Sequence, residues 1–170
     1  MEEKAAKIKL LFLDVDGVMT DGRITINAQG EEIKTFDVKD GQGLKMLMSS
    51  GVEVVIISGR NSPVLDHRAR DLGISELYQG VDDKKGLCRK LITRKGLGKD
   101  QVCSMGDDLP DLAMFSESGL CIAVADAVKE IRGVADLITR SRGGRGAVRE
   151  ACEWLLKCQG KWNDVLIAFS

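Results

Sequence analysis

Short apolar runs separated by stretches of helical spacing restrict this chain more than any other feature. IKLLFL (8–13), VEVVII (52–57), QVCSM (101–105) and GLCIAV (119–124) are rich in β-branched residues and lack apolar–polar alternation. A strand wetted on one face alternates, whereas a strand covered on both faces does not. ELYQG (76–80) and ADLIT (135–139) read as two weaker strands. Helical patterns occupy 40–51, 62–73, 83–96, 109–119, 126–133 and 145–160. In the first, Leu44, Leu47 and Met48 share a face and Gly51 marks the stop. The second has Ser62 as cap, Pro63 in its first turn and Gly73 at its end. Strand and helix in alternation predict an α/β fold, a parallel sheet flanked by helices.

GRITINAQGEEIKTFDV (22–38) departs from this rhythm. It alternates, turns at Asn27–Gly30 and alternates again, which predicts a β-hairpin. No second domain, repeat or low-complexity tract interrupts the chain, and its 170 residues are expected to form one domain, 1–170. A net charge of −1 argues against a nucleic-acid or membrane-surface partner. No apolar run approaches the ~18 residues of a membrane helix, and the start lacks a small-residue cleavage site. The five cysteines form no C-x-x-C pair and read as reduced, packing thiols of a cytoplasmic protein. His67, the only histidine, excludes a zinc site built on several histidines and reads as a solvated helix residue.

Three predicted strands end in polar residues: Asp14-Val15-Asp16-Gly17, Ser58-Gly59-Arg60, and Gly106-Asp107-Asp108-Leu109-Pro110-Asp111. Ligands of open parallel sheets bind outside the carboxyl ends of the strands. In extended chain Asp14 and Asp16 project to one side. Like charges ~4 Å apart repel by about 4 kcal/mol at an effective dielectric near 20. A hard divalent cation such as Mg2+ relieves this. Phosphoryl transfer gives both acids a task, one as nucleophile and one as general acid and base. Gly17 would let the backbone approach a phosphate, and Ser58, the Gly59 amide and a lysine would hold its oxygens.

These residues resemble the haloacid dehalogenase-like (HAD) phosphatases. The shared order is Asp14-Val15-Asp16, Ser58, Lys84 and the Gly106–Asp111 stretch. DVDGVMTDGRITINAQGEEIKTFDVKDGQGL, SGRNSPVLDHRARDLGI, YQGVDDK, GDDLPDL and GGRGAVRE are similar to the 3-deoxy-D-manno-octulosonate 8-phosphate (KDO 8-phosphate) phosphatases, from about Lys9 to Gly160. The resemblance implies a Rossmann-like sheet with a hairpin flap and no cap domain. It also implies a homotetramer with sites completed by neighbouring subunits, and a Mg2+-dependent phosphatase of lipopolysaccharide precursor biosynthesis acting on a small sugar acid phosphate. Asp14 would be nucleophile and metal ligand. Asp16 would be the acid/base and lend its backbone carbonyl to the metal, and Asp107 would be the third ligand. Ser58, Gly59 and Lys84 would hold phosphate, and Arg60 and Arg68 the sugar-acid carboxylate. Asp111 would orient metal waters or Lys84.

Some positions have two readings. Lys84 is preferred to Lys85, which receives no role. Asp108 is a helix-capping or a metal-site carboxylate. RGGRGAV (142–148) is a turn and helix start, an anion seat of helix-start amides with Arg145, or a subunit-edge loop. The tail KWNDVLIAFS (161–170) packs on its own domain or, as preferred, reaches a neighbouring subunit. The alternative is a phosphatase for ketodeoxynononate 9-phosphate or a related sialic-acid-type phosphate. The alternatives of another class are a phospho-receiver domain, whose two acids near the first strand are adjacent rather than spaced D-x-D, and a non-catalytic tetramerising module.

Overall fold

In the computed structural model, which describes residues 1–169, β1 (Leu10–Leu13) shows why its sequence does not alternate. Leu10 and Phe12 pack with Val55, Ile57, Cys88, Leu91 and Met114 on one side of the sheet. Leu11 and Leu13 pack with Leu44, Leu47, Val54, Ile56 and Leu155 on the other. Both faces are dry, so every position is apolar, and each buried leucine contributes about 1.5–3 kcal/mol.

β1 pairs in parallel with β4 (Glu53–Ile57) on one side and β6 (Val102–Gly106) on the other. Beyond β4 lies β5 (Glu76–Tyr78); beyond β6 lie β7 (Leu120–Ala123) and β8 (Leu137–Ile138), giving the order β5-β4-β1-β6-β7-β8. All six expected strands form this one parallel sheet. The chain builds outward from β1 through β4 to β5, then returns to the opposite side with β6. The switch in direction therefore falls between β1 and β6, which opens a crevice at their carboxyl ends.

The helices are α1 (Glu2–Ala5), α2 (Val38–Ser49), α3 (Pro63–Leu72), α4 (Lys84–Arg94), α5 (Leu112–Phe115), α6 (Lys129–Val134), α7 (Ala147–Cys158) and α8 (Trp162–Ala168). α2 packs against α7 so closely that a Cβ at Gly43 would lie 3.0 Å from Arg149 Cα. α2 begins two residues before the expected start because Asp37 caps it, accepting from the Lys39 amide at 2.6 Å. Ser62 does hold the N-cap position of α3, but its hydroxyl makes no capping bond. The helix expected over 109–119 is a 3-10 turn at Leu109–Asp111 followed by the single turn of α5.

The hairpin pairs only β2 (Thr25–Ile26) with β3 (Glu32–Ile33), and Gly30 closes the turn onto the Asn27 carbonyl at 3.0 Å. The rest of 22–38 is irregular up to α2. In the tail, Val165 is buried and Trp162 packs under the Lys157 ammonium, 5.1 Å from the ring centroid. Leu166, Ile167 and Phe169 are exposed. Ser170 lies outside the described residues. All five cysteines are free thiols; burial raises Cys88 to about 12 and Cys121 to about 11, so these two are packing residues and poor nucleophiles. Among the described residues no helix is long and apolar enough to cross a membrane.

Candidate active site

Asp14 follows β1 and Asp107 follows β6, so the switch in strand order places both acids at one crevice of about 610 Å³. A third carboxylate arrives from the 3-10 turn. There Asp111 folds back and accepts from the Asp107 amide at 2.9 Å. A Cβ at Gly106 would lie 2.5 Å from Asp111 Cβ, so glycine alone admits this return. Asp14, Asp107 and Asp111 each present an oxygen, and all three lie within 4.8 Å of one another.

Lys84, the first residue of α4, is buried among them. Its ammonium donates to Asp14 Oδ1 at 2.6 Å and to Asp111 Oδ1 at 2.8 Å. The register is set by Asp83, which caps α4 by accepting from the Gly86 amide at 2.8 Å, and Lys85 is left exposed. Burial pushes the Asp14 carboxyl well above the ordinary aspartate range; Asp111 adds repulsion and Lys84 pulls part of the way back. Burial, with the Asp111 and Asp108 charges, pushes Asp107 up to about 7. Burial works against the Lys84 ammonium, but Asp14 and Asp111 outweigh it and raise Lys84. One cation thus faces three clustered acids.

Ser58 and Gly59 line the same crevice. The Ser58 side chain is buried and accepts from the Arg60 amide at 3.1 Å. Asp108 also lines the crevice, but its carboxylate is spent on the turn, accepting from the Leu109 amide at 2.8 Å.

The Asp16 carboxylate is not part of the three-acid cluster. It turns to the flap and pairs with the Lys34 ammonium, with Arg60 Nε 3.9 Å away. Lys34 also lies 3.3 Å from Glu32, and Glu32 accepts from Arg60 at 2.8 Å. Sequence reasoning missed Lys34 and Glu32. Their signal was the spacing of two in EEIKTF, which sends both side chains to the same side of a strand.

The structure does not bring Arg68 to this crevice. Its guanidinium bonds Asp71 at 2.9 Å and the Asp37 carbonyl at 3.2 Å, and it stands 5.4 Å from the Phe36 ring centroid, joining α3 to the start of α2. The start of α7 in 142–148 has an internal acceptor. Amides of Gly146 and Arg149 at the start of α7 donate to the buried Asp40 of α2, at 3.3 and 2.7 Å. An internal carboxylate fills the place an outside anion would take, and Arg145 points to Asp21 at 3.6 Å. The glycines of this loop serve close approach. The Gly144 amide bonds the Val18 carbonyl at 2.9 Å, and a Cβ at Gly143 would fall 1.7 Å from the Gly17 carbonyl oxygen. The loop therefore braces the turn that follows Asp14 and Asp16.

Comparison with known proteins agrees with this geometry. Residues 73–150 match the haloacid dehalogenase-like hydrolase family model. The chain is 46% identical over 159 residues to the 3-deoxy-D-manno-octulosonate 8-phosphate phosphatase of Yersinia pestis, covering 94% of this chain and 85% of that protein. It is 44% identical over 161 residues to the Escherichia coli K12 protein of the same name, covering 95% and 86%. The crystal structure of the Moraxella catarrhalis phosphatase, in complex with magnesium, phosphate and KDO, superposes with a TM-score of 0.96 at 43% identity, covering 99% of this chain and 97% of that one. The chain belongs to the 3-deoxy-D-manno-octulosonate 8-phosphate phosphatase family of haloacid dehalogenase-like hydrolases.

Proposed function

We propose that this protein is a Mg2+-dependent phosphatase that hydrolyses KDO 8-phosphate to KDO and phosphate. One observation carries the reading: Asp14, Asp107 and Asp111 converge at the β1/β6 switch point with Lys84 held between two of them. The donor set fits the metal. It is all carboxylate oxygen, as a hard cation requires, and it holds more negative charge than Lys84 neutralises. Asp14 and Asp107, with the Asp16 backbone carbonyl, would hold Mg2+. When bound, the ion supplies charge neutralisation at the nucleophile and the transferring phosphoryl group.

In the first step an Asp14 carboxylate oxygen attacks phosphorus, the bond from phosphorus to the sugar oxygen breaks, and Asp16, entering the step as the carboxylic acid, gives that oxygen its proton and is left as the carboxylate. In the second step Asp16 takes a proton from water, whose oxygen attacks the phosphorus of the aspartyl-phosphate. Asp14 is released with inorganic phosphate. Ser58, the Gly59 amide and Lys84 hold the phosphoryl oxygens, and Asp111 keeps Lys84 aimed at Asp14. Arg60, half exposed at the rim and paired with Glu32, would turn its guanidinium to the sugar-acid carboxylate when substrate enters.

The same reading includes a single domain with a flap and no cap, active as a homotetramer with sites at subunit seams. Exposed Ile24, Ile26 and Ile33 on the flap, and Leu166, Ile167 and Phe169 on the tail, support it. Deleting residues 161–170 should weaken assembly or raise KM, checked by light scattering and steady-state rates. Five free thiols, four of them buried, support a cytoplasmic setting. The function is tested by phosphate release from KDO 8-phosphate and ketodeoxynononate 9-phosphate, with Mg2+ and with EDTA. Release only from simple aryl phosphates would defeat the sugar-acid assignment.

A further inference from the structure

We infer that Lys34 is a positioning residue, through which the flap sets the orientation of the Asp16 carboxylate. Four side chains of alternating charge form a closed ring across three segments. Asp16, after β1, pairs with Lys34; Lys34 lies 3.3 Å from Glu32; Glu32 bonds Arg60 at 2.8 Å; Arg60 Nε returns to Asp16 at 3.9 Å. Lys34 and Glu32 come from the flap, and Arg60 from the loop after β4.

The flap itself is thin. It has one short pair of strands, and Thr25, Ile26, Glu31 and Ile33 are exposed. Against that background the Lys34 side chain is only 3% exposed. A buried ammonium is costly without partners, and the ones it has are Asp16 and Glu32. The flap is therefore seated on the Asp16 carboxylate by a charge that water does not reach. Asp16 in turn lines the crevice that holds Asp14. A carboxylate on a two-torsion side chain is otherwise free to turn, and a proton donor misplaced by about 1 Å loses about a hundredfold in rate.

The inference rests on the phosphatase reading, and its test separates the two. An alkyl leaving group needs a proton from Asp16, whereas p-nitrophenolate leaves with little help. kcat/KM reports phosphoryl transfer to Asp14 and not the later hydrolysis. Lys34→Met should lower kcat/KM on KDO 8-phosphate by about ten- to a hundredfold. On p-nitrophenyl phosphate it should fall by less than about threefold. Lys34→Arg should restore most of the loss on the alkyl substrate. Should Lys34→Met not fold, Lys34→Gln carries the same comparison. Equal losses on both substrates would mean that Lys34 only holds the fold, and no loss on either would mean that Asp16 does not depend on it; both overturn the inference. A wild-type protein inert on both substrates would remove the phosphatase reading, and this inference with it.

Discussion

A Cβ built on Gly17 falls 2.0 Å from Asp107 Oδ2. Position 17 also has φ +102°, a region that side-chain-bearing residues rarely enter. The residue after the D-x-D pair is thus glycine for two reasons, and the nearer one is a carboxylate of the acid cluster. Gly17→Ala must both strain the turn, at about 1–2 kcal/mol, and push Asp107 out of place. We expect activity to fall by at least about tenfold, with a higher Mg2+ requirement. Mg2+ titration of the rate checks this; an alanine variant with wild-type Mg2+ dependence would contradict the close approach.

Asp14→Asn keeps the shape of the proposed nucleophile and removes its charge. Turnover should drop at least about a thousandfold. The metal-free fold should hold or gain stability, since one of three crowded acids is gone while Lys84 keeps Asp111 at 2.8 Å. Calorimetry of both proteins in EDTA decides the second point, and phosphate release the first.

Lys84→Met removes the one cation buried in the cluster and leaves Asp14 and Asp111 uncompensated. Breaking a buried ion pair from one side costs about 3–5 kcal/mol. Urea unfolding in EDTA should show a loss of this order, and saturating Mg2+ should recover part of it. A loss unaffected by Mg2+ would separate Lys84 from the acids proposed to bind the metal.

Asp107 is pushed up to about 7 from an ordinary value of 3.8, and Asp14 is also raised. Between the unfolded and folded values the folded chain holds more protons than the unfolded one. Stability of the metal-free protein should therefore fall as pH rises from about 4 to about 7. Mg2+ competes with those protons, so the rise in melting temperature on adding Mg2+ should be larger at pH 8 than at pH 6. Asp107→Asn should flatten the slope in EDTA. A Mg2+ increment that shrinks as pH rises would refute the linkage.

Asp40→Ala tests a site that is structural. The variant strips the Gly146 and Arg149 amides of their acceptor and should cost about 1–3 kcal/mol, with KM unchanged. Denaturant melts and steady-state kinetics on the same preparation give both values.

The sheet was legible because its strands are covered on both faces, and burial of that kind leaves an unbroken apolar run in the chain. The D-x-D pair, Ser58, Lys84 and the Gly106–Asp111 stretch were legible because they follow those runs or, for Lys84, begin a helix after a capping aspartate. The shortness of the hairpin was not, since alternation over 22–38 reports side-chain period but not how many residues find a partner strand. The partners of Arg68 and Arg145 within the chain were not legible, because a lone arginine in sequence carries no record of them; they are Asp71 and the Asp37 carbonyl for the first, and Asp21 for the second.

By itself the sequence determined the kinds of element, their order and the acids at their ends, because these depend on local periodicity and on which residues tolerate burial. Only the tertiary structure decided that Asp111 and Lys84 close on Asp14, that Asp40 occupies the start of α7, and that Lys34 reaches Asp16 from the flap. Each of these is a charge given its partner, an opposite charge or backbone amides, across a long stretch of chain, and such matching in a low-dielectric interior depends on distance in space, which residue spacing along the chain does not encode.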